Sequence, residues 1–260
     1  LTSAAGREMF SLGGNAFDAV VAASFATFVI ESTLTSAGGG GFLLANSPGR
    51  KSVLYDFFSQ TPKCKSTKKP VDFYPVTFQW ETASQEFQIG LASMAAPGNV
   101  AGLCKVQKEL GKLPLKAVLQ PAIDYSRNGY EISAYKNMCV QLVSPSIKPS
   151  AEGVSLYTDE NGRWKGEGER LTMPGFADFL DALSKEGPAL FYQGEIAKNI
   201  AAASENGGGY LTLSDLQGYR VLERKPLTFQ HGDYTVLTNP APSAGGSLIA
   251  FLLKMMEKLD

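Results

Sequence analysis

Five kinds of residue in this chain are equipped for chemistry: a near-terminal threonine, a lone histidine, paired carboxylates, a glycine run and three cysteines. Removal of Leu1 would expose Thr2 as an amino-terminal threonine, a nucleophile whose own amine serves as base. Thr2 leads into a helical stretch rather than a strand, so it is not assigned that role. The single histidine, His231, precedes Gly232-Asp233 and reads as a turn residue between strands. Neither a Ser-His-Asp triad nor a metal site is expected there, because nothing supplies the partners in a cleft. The carboxylate pairs Asp159-Glu160 and Glu169 with Asp178 are of the type used in acid–base catalysis, but each lies in polar, surface-like sequence. Gly38 to Gly41 invite a phosphate-loop reading, yet Phe42-Leu43-Leu44 follows them where Gly-Lys-Ser/Thr and a helix start are needed. Close backbone approach or positive φ is the better reason for four glycines in a row. Cys64, Cys104 and Cys139 have no metal-ligand spacing and leave one unpaired, so reduced thiols are expected rather than a disulfide framework. Reduced thiols favour a cytoplasmic over a periplasmic or secreted location. No metal or organic cofactor is expected.

The elements that would hold these residues are legible from pattern. Asn15 is an N-cap with Asp18 at N3, opening a helix to about Glu31 whose lack of a polar face predicts burial on all sides. The uncharged run Ala19 to Ile30 falls short of the ~18 residues that cross a bilayer, so no membrane span is expected. Phe42 to Ala45 and Ser52 to Phe58 read as a hairpin around Ser47-Pro48-Gly49. An apolar helix beside such a hairpin suits a layered α/β sandwich. Pro97-Gly98 opens a helix ending near Gly111, and Pro114 opens another, closed by Asn128-Gly129. Residues 141–170 are polar and Gly-rich and read as an excursion of loops. Helices are expected over Pro174 to Glu186, Gly194 to Ser204 and Gly245 to Leu259, with strands from Leu227 to Leu237.

With 260 residues, 44% of them hydrophobic, the chain can bury a large core, and residues 1–260 are treated as one domain. Charge is balanced, 24 basic against 25 acidic residues, and only Lys63, Lys65, Lys68 and Lys69 cluster, in a Pro- and Ser-flanked stretch expected to be a solvated loop. A nucleic-acid-binding face is thereby excluded.

A series of segments, taken in order, resembles the large subunit of γ-glutamyltranspeptidases, a branch of the N-terminal-nucleophile hydrolases. The series begins with the Asn15 helix, Gly38 to Gly41 and Asp56-Phe57-Phe58-Ser59-Gln60-Thr61-Pro62. Ala96-Pro97-Gly98, Leu113-Pro114-Leu115, Pro121-Ala122-Ile123 and Gly187-Pro188-Ala189 with Phe191-Tyr192-Gln193-Gly194 follow. Leu211-Thr212-Leu213-Ser214-Asp215-Leu216, Tyr219 and Pro240 to Gly246 complete it. The resemblance implies the large-subunit part of a four-layer αββα sandwich with a helical segment, incomplete without a small subunit. It implies a precursor that cuts itself, freeing a threonine at the start of that small subunit as an amide-attacking nucleophile. No catalytic residue then lies in this chain; its nucleophile-bearing partner comes from the same precursor, and the substrate is a small amide or peptide. A catalytically silent relative that binds such a ligand without turnover is the alternative.

Two departures from the family pattern stand out. Typical members carry Asp-Phe/Tyr-Arg-Glu where this chain has Asp56-Phe57-Phe58-Ser59, and that arginine pairs with the substrate's α-carboxylate. A guanidinium–carboxylate contact is worth ~1.5–3 kcal/mol, so its loss weakens recognition about tenfold to over a hundredfold. By this resemblance Asp56, Phe58 and Ser59 are the candidate substrate-binding residues. Either Phe58 reshapes the pocket for a different acyl group, the favoured reading, or Phe58 packs in the core and a cation such as Arg50, Arg220 or Arg224 serves the substrate. The second departure is Glu31 to Ala37, where the family's Pro and Gly are lost, implying a rebuilt loop into the glycine run.

Overall fold

The protein was described as a computed structural model, covering residues 1–65 and 69–258. Lys68 of the lysine cluster and Leu259, the expected end of the last helix, lie outside the described residues. Helix α1 (Thr2–Ser11) packs against α2 (Ala16–Ile30), which begins in a full capping box. The Asn15 side chain accepts from Phe17 N at 2.8 Å and Asp18 N at 3.1 Å, and Asn15 N donates to Asp18 Oδ2 at 2.8 Å. Asp18 is fully buried and also accepts from Lys112 N and Leu113 N, so one carboxylate both starts α2 and ties down a turn 94 residues further on. Val21, Phe25 and Val29 are inaccessible to solvent, but Val20 is 40% exposed, so burial of α2 has an open edge.

The chain then forms the antiparallel pair β1 (Gly41–Ala45) and β2 (Val53–Phe57), with Phe42 opposite Asp56. A second hairpin, β3 (Tyr74–Gln79) and β4 (Ser84–Ile89), follows; it was not read from the sequence. Its core-side cue is the alternating burial of Tyr74, Val76 and Phe78 along β3. Helices α3 (Asn99–Leu110) and α4 (Leu115–Asn128) pack on α2, and Leu103, Leu119 and Ile123 join its apolar residues in one core.

Short β5 (Tyr130–Glu131) leads to α5 (Ala134–Ile147) and α6 (Ala151–Tyr157). The expectation of loops over 141–170 is therefore corrected: most of its first half is helical. Ser133 and Ser150, which look like loop residues, are helix caps whose hydroxyls accept from Lys136 N and Gly153 N. Residues 148–150 and 158–169 are irregular, and Arg163 staples the longer stretch by donating to both oxygens of Glu169 at 2.8 Å.

After β6 (Arg170–Leu171), paired with β5, come α7 (Pro174–Glu186), α8 (Ala189–Tyr192), α9 (Glu195–Gly207) and α10 (Leu213–Gln217). Strand β7 (Leu222–Arg224) returns to the first sheet and pairs with β2, giving the order β1-β2-β7. The chain ends in the hairpin β8 (Leu227–His231) and β9 (Tyr234–Thr238) and in α11 (Ala244–Met256). Helix α11 packs on β8 and leaves Leu248, Phe251, Leu252 and Met256 more than half exposed. Among the described residues no helix is long and apolar enough to cross a membrane.

Candidate functional site

The glycine run and the end of β2 are pressed together. A Cβ on Gly40 would lie 2.8 Å from both the Phe58 carbonyl carbon and Ser59 Oγ, and closer still to Ser59 N. A Cβ on Gly41 would meet the Phe57 ring at 3.0 Å. None of Gly38 to Gly41 has positive φ, so close approach, not special backbone conformation, is why glycine stands there. The start of α3 locks the loop, because Gly98 N and Asn99 N donate to Gly39 O at 2.8 and 3.0 Å and Asn99 Nδ2 donates to Ser36 O at 2.7 Å. The rebuilt stretch before it folds back on Glu31 O through Leu34 N and Thr35 N, and Ser32 shares a 2.7 Å hydroxyl contact with Tyr157.

The backbone at Phe58 is fixed from both sides. Its N–H donates to Asp56 Oδ1 at 3.1 Å, and its carbonyl accepts from Tyr219 Oη at 3.0 Å. Tyr219 in turn stacks on Tyr192, ring centroids 5.4 Å apart, and Tyr192 donates to Pro97 O at 2.8 Å. Burial, then the nearby Asp56 charge, raises the Tyr219 hydroxyl well above its ordinary pKa, so it stays a donor. Gln60 pairs its backbone with Ala96 in both directions.

What this frame presents is the Phe58 side chain. The ring is 57% exposed and stacks on Phe42, centroids 5.4 Å apart and planes 16° from parallel. Among the described residues Phe58 thus lies at the surface rather than in the core. A cavity of about 510 Å³ opens beside it, lined among others by Phe42, Asp56, Phe58, Ser59, Leu222 and Arg224. All three sequence candidates, Asp56, Phe58 and Ser59, therefore border one cavity. Of the three cations considered, only Arg224 joins them: its Nε donates to buried Asp56 Oδ2 at 2.6 Å. Arg220 turns its Nη1 to the carbonyls of Gln217 and Tyr219, and Arg50 sits exposed in the β1–β2 turn.

Phe42, Leu222 and Tyr219 were missed as site residues. Phe42 lies on β1 opposite Asp56, a pairing that no alternation in β1 marks, and the pairing of β7 with β2 that brings Leu222 and Arg224 in spans 168 residues between Asp56 and Arg224. Residues set aside in the sequence stay apart from the cavity. Thr2 begins α1; His231 ends β8 with Nδ1 3.0 Å from Glu257 Oε1; Arg163 also pairs with Asp159 at 3.0 Å. Arg127 pairs with Asp178 at 3.4 Å. Hydrogen bonds from Arg163 hold Glu169 down to a pKa of about 2, a value of no use to a general acid or base at neutral pH. Among the described residues no group of three or more His, Cys, Asp or Glu is arranged to hold a metal ion.

The chain is thus a mixed α/β fold in which a glycine loop buttresses an exposed aromatic residue beside a cavity. The sequence model of the γ-glutamyltranspeptidases matches residues 2–260, and the chain belongs to that family. It is 30% identical over 255 residues to a glutathione hydrolase proenzyme of Escherichia coli, covering 98% of this chain and 43% of the relative. An acylase ACY 1 proenzyme of Pseudomonas sp. strain V22 is 30% identical over 265 residues, 100% of this chain and 47% of the relative. The chain thus spans about half the length of the curated relatives it matches. The crystal structure of Helicobacter pylori γ-glutamyltranspeptidase superposes with TM-score 0.87 at 27% identity, covering all of this chain and 73% of that one. The mixed α/β fold expected from the sequence is the fold observed, and it matches that of solved γ-glutamyltranspeptidases.

Proposed function

We propose that this chain is the large-subunit part of an amide-cleaving hydrolase or acyltransferase in which Phe58 lines an acyl pocket changed from that of a γ-glutamyl enzyme. The carrying observation is the position of Phe58: its backbone is held by Asp56 and Tyr219, and the residue lines a cavity at the place where the family resemblance puts an arginine. The nucleophile is a threonine hydroxyl freed at the start of a small subunit by cleavage of a common precursor. Its oxygen bonds to the amide carbon, its α-amine takes the hydroxyl proton and passes it to the leaving nitrogen, and the C–N bond breaks. Backbone donors hold the oxyanion, and water or an amine then releases the acyl group. Two things support a further polypeptide completing the fold: the outward apolar face of α11 and the proenzyme status of the named relatives. The pocket suits an acyl group with apolar character, since an unpaired carboxylate against the Phe58 ring is disfavoured.

Intact mass spectrometry with amino-terminal sequencing of the full-length protein tests the reading. Two fragments are expected, the smaller beginning with threonine. One unbroken chain under conditions that mature its relatives would contradict it and favour a silent, ligand-binding member.

A further inference from the structure

Arg224 uses only part of its guanidinium. Nε donates to Asp56 Oδ2 at 2.6 Å, and among the described residues neither terminal nitrogen has a hydrogen-bond partner, although the side chain is only 30% exposed. Arginine has five N–H donors in a planar fork, so the two terminal nitrogens are left as a matched pair of donors. Arg224 borders the same cavity of about 510 Å³, whose lining includes the stacked Phe42 and Phe58 rings, Leu222 and Pro242, with Asp56, Ser59 and Gln60 among its polar members. A half-buried guanidinium with unused donors beside a pair of stacked aromatic rings is an arrangement that recognises a carboxylate attached to an apolar body.

We propose that the cavity binds a carboxylate carried on an aromatic or aliphatic body, with the terminal nitrogens of Arg224 taking the carboxylate and the Phe42–Phe58 stack taking the apolar part. The assignment builds on the acyl-pocket reading of Phe58 and specifies the ligand chemistry. Asp56 shares the charge of Arg224, which keeps the affinity modest; what remains is a directional, two-pronged contact rather than a net positive site. The start of α11 at Ser243 and Ala244 lines the far wall, and no side chain caps it, so its polarity favours an anion in the same space. Each Asp56 oxygen already accepts a hydrogen bond, from Phe58 N and from Arg224 Nε, so a zwitterionic amino-acid head competes with those contacts for its ammonium partner.

The test compares 3-phenylpropionate with its neutral isostere 3-phenylpropionamide, titrated by ligand-observed NMR into the full-length protein. The carboxylate is expected to bind about tenfold more tightly than the amide. Arg224→Gln, which retains a donor for Asp56, is expected to abolish that preference. Arg224→Lys should recover part of it, and Phe58→Ala, a change at an exposed ring, should weaken both ligands equally. Thermal melting confirms that each variant is folded. Equal binding of the two probes, binding of neither, or a preference untouched by Arg224→Gln overturns the proposal. Because the readout is binding, such a result leaves self-processing and amide cleavage standing. An unprocessed chain that still prefers the carboxylate would overturn the catalytic reading alone.

Discussion

Tyr219 donates its hydroxyl proton to the carbonyl of Phe58 at 3.0 Å, joining residues 161 positions apart in sequence. The bond fixes the backbone that aims the Phe58 ring outward, so it connects a buried tyrosine stack to the shape of a surface cavity. Tyr219→Phe removes the donor while keeping the ring stacked on Tyr192. A stability loss of about 1 kcal/mol is expected in urea unfolding. Tyr192→Phe should cost more, because the Tyr192 hydroxyl both donates to Pro97 O and accepts from Ala101 N.

Gly40 and Gly175 should respond oppositely to alanine. At Gly40 the new methyl group collides with the Phe58–Ser59 backbone, and a loss of ~1–3 kcal/mol is expected. At Gly175, in the first turn of α7, nothing lies within 4 Å of the added atom. There alanine should be neutral or stabilising by up to about 1 kcal/mol, through a stiffer unfolded chain. Thermal melting of the two variants decides it.

Asp18→Asn tests the anchor of α2. The buried carboxylate accepts from Asn15 N, Lys112 N and Leu113 N, and an amide retains only one acceptor oxygen. A loss of about 1–3 kcal/mol is expected by chemical denaturation. No measurable loss would mean that the α3–α4 turn is held by other contacts.

Much of this was readable in advance because it is local. The Asn15–Asp18 capping box, the Pro97-Gly98 opening of α3 and the apolar stripe of α7 each express a pattern within a few residues of itself. The helices α5 and α6 were hidden because their caps, Ser133 and Ser150, and the internal Pro145 and Gly153 have the composition of loops. The site was legible only on one side. Asp56, Phe58 and Ser59 came from a motif, whereas Arg224 and Leu222 arrive by pairing of β7 with β2, a long-range register that no local spacing encodes.

Cysteine chemistry should divide along burial. Burial raises the Cys104 thiol to about 12, and Cys139 is also buried, while Cys64 is exposed. Brief iodoacetamide treatment at pH 8 should label Cys64 alone, read by peptide mass mapping. The folded Cys104 pKa lies above the unfolded value of about 8.5. Its contribution to stability is therefore complete below pH ~8.5 and is lost as pH rises toward 12. Cys104→Ala should flatten that alkaline decline.

The account rests on position 58 belonging to the acyl pocket. Its most direct test is turnover of γ-glutamyl-p-nitroanilide by the matured wild-type protein and by Phe58→Arg. Slow turnover by the wild type and a gain in kcat/KM of about tenfold to a hundredfold in the variant is the predicted result, matching one restored guanidinium–carboxylate contact. Wild-type turnover as fast as that of an arginine-bearing relative, or no gain in a folded, self-processed variant, would contradict it.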